Sequence, residues 1–93
     1  MATTILDKAK MALRVSVDSY DSELNTYIDS AKLDLGIAGI DTEDIDELME
    51  MAIITYCRMH FGSPDNYNQL KMSYDEQKAQ MQVATGYAEW TND

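Results

Sequence analysis

Apolar side chains recur along the chain at the spacing of an α-helix. Near the start, Ile5, Ala9, Ala12 and Leu13 are four, three and one positions apart, which predicts a short amphipathic helix. A second run has spacings of four, three and four positions and predicts a second helix with one buried face. The residues of this second run, all expected in the core, are Leu24, Ile28, Ala31 and Leu35.

Turn-forming residues are expected to set the ends of the second helix. Asp18 lies ahead of it, where a carboxylate accepts hydrogen bonds from the free N–H groups of a first turn. Gly36 follows its last apolar position, and glycine readily adopts the left-handed conformation that ends a helix. The sequence therefore predicts a helix between these two residues.

The third helix is predicted to be the central one. Asp41 is expected to cap its start, and between Met49 and Phe61 the only strongly charged residues are Glu50 and Arg58. A helix that is apolar on nearly every side is covered by its neighbours. Its expected inner stripe consists of Ile45, Leu48, Met49, Ala52, Ile53 and Tyr56.

A sharp corner is predicted between the third helix and a fourth. Gly62 suits a helix end, whereas Ser63 suits an N-cap and Pro64 a first helical position. The fourth helix, expected from about Pro64 to Val83, is mostly polar and carries one narrow line of apolar and aromatic side chains.

That narrow line has two interpretations. It either packs against the other helices while the polar remainder meets water, or it contacts a neighbouring subunit, a role that suits tyrosine. The tail beyond Gly86 poses the same choice, because its aromatic rings either fold back on the core or dock on a partner. The candidate interface residues for a neighbouring subunit or another partner are Tyr67, Leu70, Tyr74, Met81, Tyr87 and Trp90.

Composition agrees with an all-α fold. The chain has 93 residues, 45% of them apolar, with only 4 Gly and 1 Pro, too few turn formers for an all-β architecture. This length suits a single domain, residues 1–93. We expect an all-α, compact bundle of about four helices with a projecting polar C-terminal helix and a short tail.

The charge of the chain argues against several classes of partner. The formal net charge is -10, which disfavours binding to phosphate backbones or to anionic membranes. Cys57 is the only cysteine, so no intramolecular disulfide is possible. Frequent charges near the N-terminus fit neither a signal peptide nor a membrane span, and we expect synthesis in the cytoplasm.

Catalytic and metal constellations are not expected. His60 is the only histidine, and Cys57 lies in the most apolar segment, where a thiol is poorly activated. The acidic run from Asp41 has Asp46 where an EF-hand calcium loop requires glycine. We therefore expect no enzyme activity, no cofactor and no metal site, and we interpret the acids as a solvated face near a helix start.

One stretch of the sequence resembles a known family. "ALRVSVDSYDSELNTYIDSAK" is similar to the N-terminal module of bacteriophage and prophage head-tail connector (adaptor) proteins of the long-tailed type. The second half, with "YCRMHFGSPD" and "LKMSYDEQKAQM", is similar too, and the resemblance covers roughly residues 3–90. The matching positions of the first stretch are Leu13, Arg14, Val15, Asp18, Asp21, Leu24, Ile28 and Ala31.

The resemblance implies a structural role in the virion. It implies a helical subunit of a dodecameric homo-oligomeric ring that joins the portal of the head to a stopper or tail-completion protein. The ring would extend the channel through which double-stranded DNA passes without specific binding, and an acidic wall would let the DNA slide.

A second hypothesis comes from a different class of protein. A small acidic regulator, of the DNA-mimic or inhibitor type, would bind a basic partner through an array of carboxylates. Many of the acids lie near predicted helix starts, however, where the helix dipole already accounts for them. Capture of a nuclease or repressor would favour this alternative.

Overall fold

Within residues 4–83, four α-helices follow one another in the order α1 (Ile5–Leu13), α2 (Asp21–Ile37), α3 (Glu47–His60) and α4 (Tyr67–Val83). The computed structural model describes residues 4–83. The predicted all-α fold of four helices is confirmed, whereas the predicted tail lies outside the described residues.

α3 is the central helix, because it packs against each of the other three. Its most extensive contact is with α4, which is polar over most of its surface and buries Tyr74 and Met81. The core residues supplied by α2 and α3 are Leu24, Ile28, Ala31, Leu35, Met49, Ala52, Ile53, Cys57 and Met59. Of the other residues expected in the core, Ile45 and Tyr56 are half-buried and pack against this cluster.

Leu48 does not belong to the inner stripe of α3. Its side chain is 41% exposed, because it lies about 100° around the helix from Met49, whose side chain faces the core. Met51 is also exposed on α3. The central helix therefore keeps one outward face, which a pattern of apolar residues on nearly every side did not predict.

Helix starts differ from the predicted ones where two acids compete for the role. α3 begins after Asp46, whose carboxylate accepts from the Met49 N–H at 3.0 Å. Asp41 instead accepts from the Glu43 N–H at 3.0 Å within the preceding turn. The predicted cap of α2 is also wrong, since Tyr20 holds that position and Asp18 pairs with Lys10.

Helix ends and the last corner are also displaced from prediction. α2 continues past Gly36 to Ile37, and the left-handed residue that follows it is Gly39, with φ of 90°. Gly62 has φ of 69° after the end of α3, as a sharp corner requires. α4 then begins at Tyr67 rather than at Pro64.

Candidate interaction surface

A groove lies on the outside of the bundle, between the end of α1, the exposed face of α3 and the start of α4. It consists of two adjoining depressions that share Ala12 and Arg58. The larger, of about 310 Å³, also contains Leu13, Arg14, Phe61, Pro64, Asn66 and Leu70. The smaller also contains Met51, Ile54 and Thr55. We call these two depressions together the arginine groove.

Arg14 reaches the groove from a helix terminus. It follows α1 in the left-handed conformation, with φ of 59° and ψ of 41°. The N–H of Val15 donates to the carbonyl of Lys10 at 2.9 Å, and that of Arg14 donates to Met11 at 3.2 Å. This is a Schellman arrangement, usually built with glycine. It turns the chain at the rim of the groove and leaves the Arg14 side chain exposed.

Arg58 reaches the same groove from the last turn of α3. A cation is favoured there because the last carbonyls of a helix carry partial negative charge. Arg58 shares the outward face of α3 with Met51, whose side chain is 55% exposed. The groove therefore combines a guanidinium at each of two helix ends with apolar side chains between them.

The two arginines stand apart from the other cations of the chain. They are its only arginines, and within residues 4–83 neither guanidinium forms an ion pair with a carboxylate. Most lysines, by contrast, are paired with acids at 2.8 to 3.0 Å; these are Lys8, Lys10, Lys71 and Lys78. The arginine groove is thus a local positive site on a chain with a net charge of -10.

Between α2 and α4, a polar network ties the two helices together. The Tyr74 hydroxyl donates to Asp34 Oδ2 at 2.6 Å, and Lys78 Nζ donates to the same oxygen at 3.0 Å. Burial opposes ionisation of Asp34, but these two partners outweigh it and lower the pKa of its carboxyl. Burial and the neighbouring Asp34 carboxylate raise the pKa of Tyr74.

An aromatic cluster surrounds the single histidine. The ring centroids of Tyr56, Tyr27 and Tyr67 lie 4.4, 5.7 and 6.4 Å from that of His60. Tyr56 also packs edge-on against Tyr74 at 5.4 Å. His60 is therefore a packing residue between α2, α3 and α4.

The candidate interface residues fall into three groups. Tyr74 and Met81 are buried at 3% and 1% exposure, so neither side chain is accessible on the isolated subunit. Tyr67 is 38% exposed and Leu70 is half-buried in the arginine groove. Tyr87 and Trp90 lie outside the described residues. Burial favours the interpretation of Tyr74 and Met81 as packing residues.

The arginines of the groove were missed as candidate residues. Arg14 was noted only within a longer similar stretch, and Arg58 only as a charge on an apolar helix. One signal in the sequence could have found them, because they are the only two arginines of an acidic chain and lie at the ends of two predicted helices.

Cys57 lies in the core, where its surroundings do not activate the thiol. Its side chain is fully buried, and burial raises the pKa of the thiol to about 11. A thiol with a raised pKa forms little thiolate at neutral pH. Within residues 4–83 no group of three or more histidine, cysteine or acidic side chains is arranged to hold a metal ion.

Among the helices that the structure describes, none is both long enough and apolar enough to cross a bilayer.

Comparison with known protein families gives a match for the chain. The model of the phage connector protein family matches residues 5–88, a span that contains all four helices. The chain belongs to the phage connector protein family. No curated protein and no solved structure matches it. As a phage connector protein, it is a structural component of the virion, and the family implies contacts with other head or tail proteins.

Proposed function

We propose that this connector protein forms a dodecameric ring at the head-tail junction, between the portal and a stopper or tail-completion protein. The ring extends the channel through which DNA passes. Membership of the phage connector family carries the proposal, and the surface of the subunit supports it.

Among the apolar side chains that the described residues expose, two separate groups are relevant to assembly. One is the outward face of α3 in the arginine groove, with Met51. The other lies where the ends of α2 and α4 meet, since Gln82 Nε2 donates to the Ala38 carbonyl at 3.0 Å. There Ile37 and Val83 are 85% and 80% exposed. Different patches on one subunit suit a head-to-tail contact, and head-to-tail contacts form a ring when the rotation between neighbouring subunits closes.

The positions of the acids favour the connector over a regulator that mimics DNA. Asp7 takes part in a capping box with Thr4 and Asp46 caps α3. Asp34 accepts from Tyr74 and Lys78. Other acids pair with lysines: Asp18, Asp21, Glu50 and Asp75. Carboxylates engaged inside the subunit support its folding and are not free to form a phosphate-like array.

The net charge of -10 suits the wall of a DNA channel. Like charges keep the duplex from adhering, so DNA slides through the ring. Assembled rings are expected to leave duplex DNA unbound at every salt concentration. Tight binding at moderate salt would contradict this part of the proposal.

The mass of the protein in solution tests the proposal most directly. Light scattering across a wide concentration range, on the protein alone and with a portal ring, is expected to show a ring in at least one condition. A protein that stays monomeric at every concentration and does not bind the portal ring would overturn the connector role and favour the regulator.

A further inference from the structure

The arginine groove offers two kinds of contact at one place. Phe61, Pro64 and Leu70 provide apolar surface, while Arg14 and Arg58 provide guanidinium groups that pair with no carboxylate among the described residues. A guanidinium stacks on aromatic faces and binds carboxylates through two parallel hydrogen bonds. The ligand that satisfies both is a peptide with aromatic and acidic side chains close together.

Residues 84–93 of this chain have that composition. Their sequence, "ATGYAEWTND", places Glu89 directly before Trp90, with Tyr87 and Asp93 on either side. The acidic run "DTEDIDE" at residues 41–47 carries no aromatic residue. The acids of "DSYDSE" at residues 18–23 are already bound by Lys10 and Tyr27. Charge, ring content and the absence of these internal pairings together favour residues 84–93 over both of these acidic segments.

We propose that the arginine groove binds residues 84–93 of a second copy of the chain. Trp90 lies against the apolar side chains and an arginine face, and Glu89 pairs with the guanidinium groups. This rests on the proposed ring, and it names the segment and the surface that join neighbouring subunits.

The length of α4 favours a second copy over the same chain. Leu70 lines the larger depression of the groove and precedes the end of α4 at Val83 by 13 residues, so about 20 Å of helix separates them. Trp90 is seven residues beyond Val83, a stretch that spans at most about 25 Å when fully extended. The chain's own Trp90 would reach the larger depression only if residues 84–90 were nearly extended. A neighbour's segment has no such restriction.

Trp90 provides the signal for a test, because it is the only tryptophan. The experiment follows the emission maximum of the full chain and its mass by light scattering over the same concentration range, alone and with a portal ring. As subunits associate, the emission is expected to shift to shorter wavelength, since the indole leaves water. Arg58→Glu should remove the shift and weaken association at least about tenfold, which corresponds to about 1.4 kcal/mol.

Two further variants separate the groove from general charge effects. Lys32→Glu makes the same charge change on α2, which contributes no residue to the groove, and is expected to keep both shift and association. Glu89→Arg alone should weaken association, and its combination with Arg58→Glu should restore it. Far-ultraviolet circular dichroism checks that each variant remains helical.

The outcomes distinguish this inference from the proposed function. A ring that forms normally with Arg58→Glu overturns the groove and leaves the connector role standing. A short-wavelength emission in the monomer, independent of concentration, assigns the groove to the chain's own segment. An emission shift that appears only with the portal and persists in Arg58→Glu places residues 84–93 on the portal. Either of these last two results overturns the inference. Absence of any ring, alone or with the portal, overturns the proposed function.

Discussion

Tyr74 on α4 donates a 2.6 Å hydrogen bond to Asp34 on α2, across the side of α3 that both helices cover. The Tyr74 ring is buried, whereas the Asp34 side chain keeps 37% of its surface exposed and also binds Lys78. The bond therefore fixes a buried ring through an acid at the edge of the core. It also explains how a mostly polar helix is held: a few buried side chains pack, and a polar pair joins α4 to α2.

Removal of the Tyr74 hydroxyl tests this attachment. Tyr74→Phe is expected to lower the free energy of unfolding by about 1.5 kcal/mol, which is the lower end of the range usual for a hydrogen bond to a charged group. Urea unfolding followed by circular dichroism measures it. Tyr67→Phe is the matched control, because Tyr67 is partly exposed, and its change should stay within about 0.5 kcal/mol. Equal stability of Tyr74→Phe and the unmodified protein would refute the role of the bond.

The same network predicts a loss of stability in acid. Burial of Asp34 opposes its ionisation, but Tyr74 and Lys78 outweigh this and lower the pKa of its carboxyl. The folded protein thus holds the ionised form more strongly than the unfolded chain does. The stabilisation is complete above the unfolded pKa, about 3.9, and disappears as pH falls through the lower folded value.

Asp34→Asn isolates this contribution from that of other acids. The difference in unfolding free energy between the unmodified protein and Asp34→Asn should be constant from about pH 7 to 5 and shrink below about pH 4. Urea unfolding at a series of pH values measures it. A difference that stays the same down to pH 2 would show that Asp34 ionisation does not stabilise the fold.

The periodicity of the sequence was sufficient for the helices and most of the core, because Leu24, Ile28, Ala31 and Leu35 recur on one face and are all buried. It was insufficient where local and tertiary effects compete. Asp41 and Asp46 both suit a cap, and the choice depends on where α3 packs. Tyr74 illustrates the same limit, since a tyrosine on a polar helix suits either a core with a polar partner or an interface.

The arginine groove shows what periodicity leaves out. Its components come from three separate helices and a corner, and only the fold brings Arg14 and Arg58 to one place. Arg14 in particular has a left-handed backbone, which is uncommon for residues other than glycine. No spacing rule for apolar residues predicts that conformation.

Cys57 is expected to react only when the protein opens. The thiol is fully buried and burial raises its pKa to about 11, so a thiol reagent at neutral pH meets neither an accessible nor an ionised sulfur. The native protein should react at least about a hundredfold more slowly than the protein in urea, since opening costs several kcal/mol. With a thiol reagent that releases a coloured product, the absorbance of that product measures the rate of the Cys57 reaction. Equal rates in native and unfolded protein would place the thiol at the surface.

Arg14 combines a backbone cost with a surface role, and substitution separates the two. A left-handed residue other than glycine costs about 1–2 kcal/mol, and glycine loses about 0.5–1 kcal/mol in the entropy of the unfolded chain. Arg14→Gly should therefore stabilise the monomer by about 0.5–1 kcal/mol, as measured by urea unfolding. Arg14→Ala keeps the backbone cost and should give no gain. Both variants lack the guanidinium, so both should weaken the association measured by light scattering. If Arg14→Gly proved less stable than Arg14→Ala, the backbone at this helix end would not be strained. If both variants associated normally, Arg14 would not belong to the interface.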